Sequence, residues 1–473
     1  MKFYLTSAIP YVNAKPHVGH ALEFMQGDVL ARYHRAIGDS VRFLCGSDEN
    51  ALKNVQAAEK AGVSVEEFCA QHATEFENLA KHLNVQFDVF QRSSSPQHHT
   101  SSQKLWELCH AAGDIYKKKY QGLYCVGCEA FYTRDELNEN GECFEHPGKP
   151  LELVEEENYF FKLSKYKEQI TKLIKNKTIN IVPKEKESEV LGFLKGEVLD
   201  ISISRSRARA KNWGVEVPGD PSQIIYVWFD ALNVYQSGIG FGTDDATYKK
   251  WWPADAHVIG KGIIKFHAVY WPAMLLSAKL ALPKNLYVHG YITVNGQKMS
   301  KSLGNVVDPE EVIAKFGTEA VRYYFLREMS TTEDGDFSID RLHETYEAHL
   351  ANELGNLISR VAKLCDGGHV SVANKPTAFS KAVVDGIEAF NYRTATDDIW
   401  NRLAELNKTV SAEKPWEKTA EERAPLLIKL VQEIAQIGFD LQPFLPATAE
   451  KILAHFGDKE IVATAPMFPR IAK

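Results

Sequence analysis

The short segment Pro16-His17-Val18-Gly19-His20 carries side chains suited to phosphate chemistry. It lies where a predicted strand over 3–7 leads into a predicted helix, and Pro16 suits the first position of that helix. His17 and His20 are three residues apart and project from the same side of the first turn, while Gly19 lets a ring or phosphate approach the backbone. A helix N-terminus favours anions. The segment therefore predicts a phosphate site, with two surface histidines as the alternative for so short a pattern.

A second segment, Lys298-Met299-Ser300-Lys301-Ser302, lies in the second half of the chain. It follows a predicted strand over 291–294 and a predicted tight turn at Asn295-Gly296. Two lysines three residues apart on a loop flanked by glycines can fold over a triphosphate and neutralise its leaving pyrophosphate. A solvated basic loop is the alternative. Because both segments follow predicted strands, together they indicate phosphoryl or nucleotidyl chemistry at a sheet edge.

The elements that must position these segments alternate between strand and helix. A second predicted strand, over 41–45, follows the first helix, and this spacing is typical of a parallel α/β sheet. The alternation stops near 116, where a cysteine cluster and charged stretches begin, and returns near Ile224 until about 292. Beyond 343 the apolar period is helical. The sequence therefore predicts one sheet domain that is interrupted by an insertion and followed by a helical region.

A cysteine cluster lies in the predicted insertion: Cys125-x-x-Cys128 is followed by Cys143-x-x-His146. Three thiolates and one imidazole at these spacings match a tetrahedral zinc knuckle. Unlinked cysteines are the alternative, but paired spacings of this kind are specific. Because four protein ligands leave no open coordination position, the predicted Zn²⁺ ion is structural and not catalytic.

The composition is that of a globular, multidomain chain: 473 residues, 44% hydrophobic and 25% charged, with a net charge of −7. A nucleic-acid partner must therefore be met by a local basic surface. The longest apolar stretch, 268–278, contains Pro272 and is too short to span a bilayer, and the N-terminus lacks the long apolar core of a signal peptide. Seven cysteines, three of them clustered, suggest reduced thiols. We expect a cytoplasmic protein without a membrane partner.

Given these motifs, the chain resembles the class I aminoacyl-tRNA synthetases. Residues 16–20 resemble the HIGH signature of that class, and residues 298–302 match its KMSKS signature letter for letter. The resemblance implies an α/β fold with a doubly wound, parallel Rossmann-type sheet, which activates an amino acid with ATP and Mg²⁺ and transfers it to tRNA. It also implies that the catalytic residues are His17, His20, Lys298 and Lys301, and that the ATP-binding residues are Gly19, Lys298 and Lys301.

Within that class the chain resembles the methionyl-tRNA synthetases, in which a single knuckle of this type lies in the insertion. Three segments, Ala8-Ile9-Pro10-Tyr11, 227–235 and Phe266-His267, resemble the methionine pocket of that family. Aromatic walls of this kind suit a long, polarizable thioether. Asp48 would hold the α-ammonium group just beyond the second strand, where open α/β sheets bind ligands. The residues implied for the methionine side chain are Ile9, Tyr11, Trp228, Ala231, Tyr235 and His267.

The resemblance also implies the domain order and a tRNA-binding half. The predicted order is a first half of the catalytic Rossmann domain over 1–115, a connective insertion with the zinc knuckle over 116–221, the second half of the catalytic domain over 222–292, a KMSKS loop and stem-contact region over 293–347, and a helical anticodon-binding domain over 348–473. Asn356 and Arg360 share one helix face, Trp416 suits stacking on a splayed base, and all three match the positions that read the CAU anticodon. The basic stretches 162–186 and 205–211 are candidate tRNA contacts, with solvated faces as the alternative. No further dimer-forming module follows the helical region, so we expect a monomer.

Two positions depart from the family pattern. After Asp48 the family commonly carries Glu-His-Gly, where this chain has Glu49-Asn50-Ala51, and near 262 it commonly carries Gly-Lys-Asp-Ile, where this chain has Gly260-Lys261-Gly262-Ile263. Both departures bear on catalytic efficiency. The expected reaction is the activation of L-methionine with ATP and its transfer to the 3′ end of tRNA(Met). The alternatives are another class I synthetase, such as a cysteinyl, leucyl or valyl enzyme, and a non-catalytic synthetase-like RNA-binding protein.

Overall fold

A parallel sheet forms the centre of the first half of the molecule. The structure is a computed structural model that describes residues 1–125, 130–132, 134, 137–144, 148–299, 304–366, 375–457, 461–463 and 465–471, apart from the side chains of Tyr120, Ala130, Phe131 and Lys298. The strands of this sheet among the described residues are β1 (Lys2–Ser7), β2 (Ser40–Ser47), β3 (Val89–Arg92), β7 (Asn180–Val182), β12 (Ala256–Gly260) and β13 (Asn285–His289). Their spatial order is β3-β2-β1-β12-β13-β7, so β2 and β3 extend the sheet on one side of β1, and β12, β13 and β7 extend it on the other. The predicted doubly wound parallel sheet is confirmed.

Side chains alternate between the two faces of this sheet. Leu5 and Phe43 are buried on one face, where they share a core with helix α1 (Val18–Ala36). Tyr4 and Leu44 are buried on the other, in a core that includes Trp271. Both faces are therefore covered, which explains why the strands predicted over 3–7 and 41–45 read as continuous apolar runs. The other helices of the first half are α2 (Leu52–Ala61), α3 (Val65–His82) and α4 (Pro96–Ala111).

The insertion is built from small antiparallel sheets and two helices. One sheet has the order β5-β4-β6-β8 and the other β10-β11-β9. The strands are β4 (Ile115–Cys125), β5 (Ala130–Tyr132), β6 (Glu152–Phe161), β8 (Ile201–Ser202), β9 (Ser204–Ser206), β10 (Glu216–Val217) and β11 (Asp220–Ile225). The helices are α5 (Lys167–Lys175) and α6 (Lys184–Lys195), with a 3-10 turn over Leu163–Tyr166.

One strand corrects the sequence interpretation of this region. Strand β7 lies inside 116–221, yet it pairs in parallel with β13 as an edge strand of the central sheet, with Leu286 opposite Ile181. A strand of three residues carries no period that a sequence pattern can reveal. The chain therefore returns to the catalytic sheet once before the insertion ends.

The second half of the catalytic part consists of short helices around β12 and β13. They are α7 (Val227–Ala231), α8 (Val234–Ser237), α9 (Asp245–Trp251) and α10 (Trp271–Ser277), with a 3-10 turn over Lys261–Ile263 and a π-helical turn over Phe266–Tyr270. These segments close one face of the sheet over the ends of β1 and β2.

A small sheet and then helices follow β13. The strands are β14 (Ile292–Val294), β15 (Gln297–Lys298) and β16 (Gly335–Asp336). The helices are α11 (Pro309–Phe316), α12 (Thr318–Tyr323), α13 (Ile339–Thr345), α14 (Asn356–Cys365), α15 (Lys381–Glu388), α16 (Tyr392–Glu413), α17 (Ala420–Leu441) and α18 (Pro446–Phe456). Tyr324–Glu328 and Tyr346–Gly355 are π-helical, and Pro415–Glu417 is a 3-10 turn. Asn295 and Gly296 have φ of 54° and 70°, so the predicted tight turn is present. None of the described helices is both long and apolar enough to cross a bilayer.

Candidate active site

The N-terminus of α1 holds the two histidines of the first segment. His17 is the N-cap, and its Nδ1 accepts a hydrogen bond from the Gly19 N–H at 3.1 Å, while His20 Nδ1 accepts one from the His17 N–H at 3.1 Å. The two rings lie 3.9 Å apart, centre to centre. Pro16 therefore precedes the cap and does not occupy the first helical position, because the imidazole of His17 takes over the capping of the free backbone donors.

These bonds also determine what the two rings present to a ligand. Because each Nδ1 accepts a hydrogen bond, the proton of each neutral ring sits on Nε2, which is then a donor. Burial lowers the pKa of His17 to about 4 and holds the pKa of His20 well below its usual range. At neutral pH the pair therefore offers uncharged N–H donors beside the positive end of the helix dipole.

Gly19 is required by the space around it. A Cβ atom at this position would lie 2.9 Å from Cε1 of His17 and 4.0 Å from Cε of Met299. Met299 belongs to the second segment, so the two segments that are predicted to bind phosphate meet at this glycine. The side chain of Lys298 and all of Lys301 lie outside the described residues.

A cavity of about 390 Å³ opens beyond the carboxyl ends of β1, β2, β12 and β13. This is the crevice where open α/β sheets bind ligands. All of the residues that the sequence assigns to methionine, together with His17, Gly19 and His20, line this one cavity: Ile9, Tyr11, Asp48, Trp228, Ala231, Tyr235 and His267. Residues from segments far apart in the chain are therefore brought to one place.

The end of the cavity near α8 is buried and uncharged. His267 Nδ1 lies 2.9 Å from the carbonyl oxygen of Ile263, so its N–H donates there, and Nε2 accepts from the Tyr235 hydroxyl at 2.8 Å. Burial lowers the pKa of His267 to about 4 and holds the pKa of Tyr235 well above its usual range. Both groups are thus neutral at physiological pH, as a pocket for an apolar side chain requires.

Stacked aromatic rings form one wall of the cavity. Trp228 stacks on Phe266 with ring centres 3.7 Å apart, and Tyr11 meets Trp228 edge-on at 6.3 Å. The ammonium group of Lys53 lies 3.1 Å from the centre of the Tyr11 ring, a cation–π contact that holds the ring from the other side. Asp48 is buried, and its backbone forms a bridge with Tyr11. The carboxylate and the aromatic wall are therefore fixed relative to each other.

A buried acid–imidazole pair on the α1 side of the cavity was not predicted. Glu23 Oε2 lies 2.9 Å from His289 Nε2, and both residues line the cavity. Glu23 is one turn after His20 on α1, and His289 is the last residue of β13. The rule that ligands bind beyond strand carboxyl ends points to His289, but only the fold reveals Glu23 as its partner.

The structure explains the glycine at 262. A Cβ atom there would collide with the hydroxyl of Tyr291, which also lines the cavity. Lys261 beside it forms an ion pair with Asp334 at 2.7 Å, and Asp334 accepts the Tyr291 N–H at 2.8 Å. The aromatic ring therefore fills the space in which a side chain at 262 would lie.

Ala51, the second unusual small residue, is fully buried at the N-cap of α2 with φ of −80°. This is ordinary backbone that alanine adopts without strain. The backbone conformation at residue 51 therefore does not require glycine.

The zinc knuckle lies only partly within the described residues. Cys125 and Cys143 are buried, whereas Cys128 and His146 fall outside the described part of the chain. Among the residues that the structure does describe, no three metal-ligating side chains come together. Two buried sulfurs with the predicted spacing suit the thiolate-rich set that zinc prefers.

Two of the three predicted anticodon residues are in contact. The Arg360 guanidinium lies 5.6 Å from the ring centre of Trp416, whose side chain is 51% exposed. Asn356 is exposed one turn earlier, at the start of α14. The apolar stripe predicted for this helical stretch is fully buried: Leu350, Leu354, Leu357 and Val361. The guanidinium of Arg360 and the exposed indole of Trp416 therefore lie side by side at the surface.

The second basic stretch is largely paired with acids. Arg207 pairs with Glu216, Arg209 with Glu152 at 2.8 Å, and Lys211 with Glu59. In the first stretch, Lys165, Lys177 and Lys186 pair with Asp114, Glu187 and Glu189. Such ion pairs reduce the net positive field that either stretch presents to a phosphate backbone.

Comparisons with known proteins agree with this geometry. The family model described as tRNA synthetases class I (M) matches residues 3–362. A methionine–tRNA ligase from Rhizobium meliloti is 39% identical over 99% of this chain and 98% of the relative, and one from Thermotoga maritima is 38% identical over 97% and 76%.

Solved structures give the same result. Mycobacterium tuberculosis methionyl-tRNA synthetase bound by methionyl-adenylate is similar with a TM-score of 0.91 at 35% identity, covering 99% of this chain and all of that one. The free form of that enzyme is similar with a TM-score of 0.83 at 32% identity, covering 100% of this chain and 99% of that one.

Proposed function

Since this chain belongs to the class I methionyl-tRNA synthetases, we propose how the cavity beyond its parallel sheet carries out methionine–tRNA ligation. The carboxylate of L-methionine attacks the α-phosphate of ATP, which forms methionyl-adenylate and releases pyrophosphate. The terminal ribose hydroxyl of tRNA(Met) then attacks the adenylate carbonyl and releases AMP. These roles rest on one observation. The wall of methionine-type residues and the histidine segment line the same cavity.

Methionine binds with its two ends in different environments. The buried carboxylate of Asp48 holds the α-ammonium group. The thioether lies against Tyr11, Trp228 and Ala231, next to the neutral pair of Tyr235 and His267. Uncharged, polarizable walls favour a long apolar side chain and penalise a charged one, because a charge there would lose its hydration without gaining a partner.

ATP binds at the N-terminus of α1. The Nε2–H groups of His17 and His20 donate to phosphate oxygens, and the backbone at Gly19 lies against the adenine ring. Lys298 and Lys301 neutralise the pyrophosphate as it leaves. Mg²⁺ bound with the nucleotide would balance phosphate charge. Side chains suited to general base catalysis are not needed, because orientation and electrostatics suffice for this displacement.

The helical half reads tRNA. Asn356 and Arg360 bind the base edges of the anticodon and Trp416 stacks on one base, as the 5.6 Å contact between Arg360 and Trp416 supports. The basic stretches are weaker candidates for tRNA contact than the anticodon residues, because many of their lysines and arginines are paired with acids. Buried thiols such as Cys45 and Cys109 suit a reducing, cytoplasmic location.

Cys125, Cys128, Cys143 and His146 hold one structural Zn²⁺ in the insertion. The two described cysteines are buried, which suits a closed tetrahedral site. Elemental analysis of the purified protein tests this assignment: about one zinc per chain is expected, and a metal-free, fully folded protein would contradict it.

The experiment that tests the function is ATP–pyrophosphate exchange with each of the twenty amino acids in turn. Exchange is expected with methionine alone. Exchange with another amino acid would keep the activation chemistry but contradict the roles given to the pocket residues. Loss of exchange with every amino acid would contradict the proposed catalytic site.

A further inference from the structure

Helix α7 has a buried carboxylate directly behind the methionine wall. Trp228 and Ala231 on this helix line the cavity, whereas Asp230 between them is fully buried and absent from the cavity lining. Its Oδ1 lies 2.7 Å from His98 Nε2, and its Oδ2 lies 2.7 Å from Asn50 Nδ2. Two side chains from other segments therefore hold the helix that carries the wall.

Asn50 ties this helix to the loop that carries Asp48. Its Nδ2 donates one hydrogen to Asp230 and the other to the carbonyl oxygen of Ser93 at 2.9 Å. Both amide hydrogens are used, so the orientation of the side chain is determined. Asn50 is only two residues after Asp48. A bond from Asn50 to Asp230 thus spans the two sides of the pocket.

His98 adds a second connection, from α4. It is fully buried, and its Nδ1 lies 2.8 Å from Oγ of Ser237 on α8, the helix that also carries Tyr235. Burial by itself raises the pKa of Asp230, but the charge and hydrogen bond of His98, with further bonds from Asn50 and Ser102, hold it below its usual range. Asp230 is therefore a carboxylate that accepts from both partners.

Asparagine suits this position for a chemical reason. The family pattern commonly has histidine at the position of Asn50, and a neutral imidazole has one N–H donor. The amide has two on one nitrogen atom. In this chain the single Nδ2 serves both Asp230 and Ser93, so the residue that departs from the family pattern links the Asp48 loop to helix α7.

We propose that Asn50 and His98 are positioning residues that act through Asp230 to set the distance between Asp48 and the Trp228 wall, and thereby the length of amino acid that the pocket accepts. The inference rests on the proposed methionine site. It assigns a specificity role to two residues that do not line the cavity.

The test compares Asn50→Ala with the wild type in ATP–pyrophosphate exchange. The variant loses both donors, so the KM for methionine is expected to rise about tenfold, while the KM for ATP stays within about twofold because the α1 site is untouched. The ratio of kcat/KM for methionine over ethionine, which is one methylene longer, is expected to fall. Asn50→His restores one donor and is expected to recover part of both values.

Asn158→Ala is the matched control, since Asn158 is a fully buried asparagine on β6 in the insertion. It removes a buried amide away from the cavity and is expected to leave both KM values unchanged. His98→Gln is an independent variant that alters the contact to the other oxygen of Asp230. It is likewise expected to raise the KM for methionine and to leave the KM for ATP nearly unchanged.

Three results would overturn the inference. They are an unchanged methionine KM in folded Asn50→Ala and His98→Gln, an equal rise in both KM values, and an unchanged preference for methionine over ethionine. Wild-type exchange is measured first, so a failure of the proposed function appears there and is distinct from a failure confined to these variants.

Discussion

Residue 262 is a glycine, and the space that a side chain would occupy there holds the hydroxyl of Tyr291, which lines the cavity. Tyr291 lies at the start of the segment that leads to the KMSKS-like loop, and Lys261 sits 4.7 Å from the centre of its ring. Glycine and tyrosine therefore form one packing unit.

Gly262→Asp is expected to lower activity although it restores the common family residue. The new Cβ collides with the Tyr291 hydroxyl and displaces the ring, and overpacking of this kind costs about 1–3 kcal/mol. We expect kcat/KM for ATP in pyrophosphate exchange to fall about tenfold or more. Gly262→Asp combined with Tyr291→Ala removes the collision and should recover part of the loss. Full activity of the single variant would contradict this account.

Lys301→Ala is expected to abolish adenylate formation, because the lysine stabilises charge that develops on pyrophosphate in the transition state. Loss of a group of this type costs about a hundredfold or more in rate. Binding of tRNA(Met) to the variant, measured by filter retention, should stay close to wild type. Lys315→Ala, on α11 beyond the loop, serves as the control. Near-normal exchange in Lys301→Ala would refute the role.

At the scale of the element, helix α1 combines an N-terminus that we propose to be catalytic with a structural body. Its first turn is capped by the two histidines, and its later turns are buried against the sheet and the helical half of the molecule. The capping bonds require an unprotonated Nδ1 on each ring. The start of the helix is therefore sensitive to acid.

This sensitivity predicts a pH dependence of stability. The pKa of His17 is about 4 in the folded protein, below its ordinary value of 6.5, so the unfolded chain binds the proton more tightly. The contribution of this group is present above pH 6.5 and is lost as the pH falls towards 4. His17→Asn supplies a cap that does not titrate. Urea unfolding of the variant should show a smaller loss of unfolding free energy over that window, and identical slopes would contradict the prediction.

At the scale of the whole molecule, α1 also joins the catalytic and helical halves. Asp28 on α1 pairs with the fully buried Arg322 at 2.8 Å, and Arg322 donates to the carbonyl oxygens of Pro443 and Phe444 after α17. The Tyr392 hydroxyl on α16 donates to the backbone of α1 at Gln26, at 2.8 Å. Helix α1, whose N-terminus we propose as the phosphate site, is thus fixed directly to the helical half, where we propose the anticodon site.

Arg322→Leu is expected to lower the free energy of unfolding by about 3–5 kcal/mol, since it leaves Asp28 buried with fewer partners. Chemical denaturation measures this loss. Arg35→Leu removes a surface pair with Asp88 and should cost less than about 1 kcal/mol. Similar losses in both variants would argue against a buried junction between the two halves.

Arg360→Ala is expected to weaken charging of tRNA(Met) while sparing activation in the absence of tRNA. The variant loses base contacts and the guanidinium beside Trp416, so kcat/KM for tRNA should fall about tenfold or more, in line with the loss of a stacking or base-edge contact. Arg393→Ala, on α16, is the control. An equal loss of activation and charging would exclude an anticodon role.

Much of the site could be predicted because its signals are local. The spacing of His17, Gly19 and His20, the two strands beside them and the turn at Asn295-Gly296 each depend on a few neighbouring residues. Helical and strand periods likewise repeat within short windows. The paired spacing of the cysteines is local too, and it remains a prediction for the residues that the structure does not describe.

The sequence by itself thus determined the doubly wound fold and predicted the two segments and the seven methionine-type residues that the structure brings to one cavity. Only the tertiary structure decided that β7 joins the central sheet, that Glu23 pairs with His289, that Tyr291 occupies the space beside Gly262, and that Asn50 reaches Asp230. Each of these contacts joins segments far apart in the chain, and no period or cap signals such a pairing. It exists only because the parallel sheet brings the ends of distant strands to one edge.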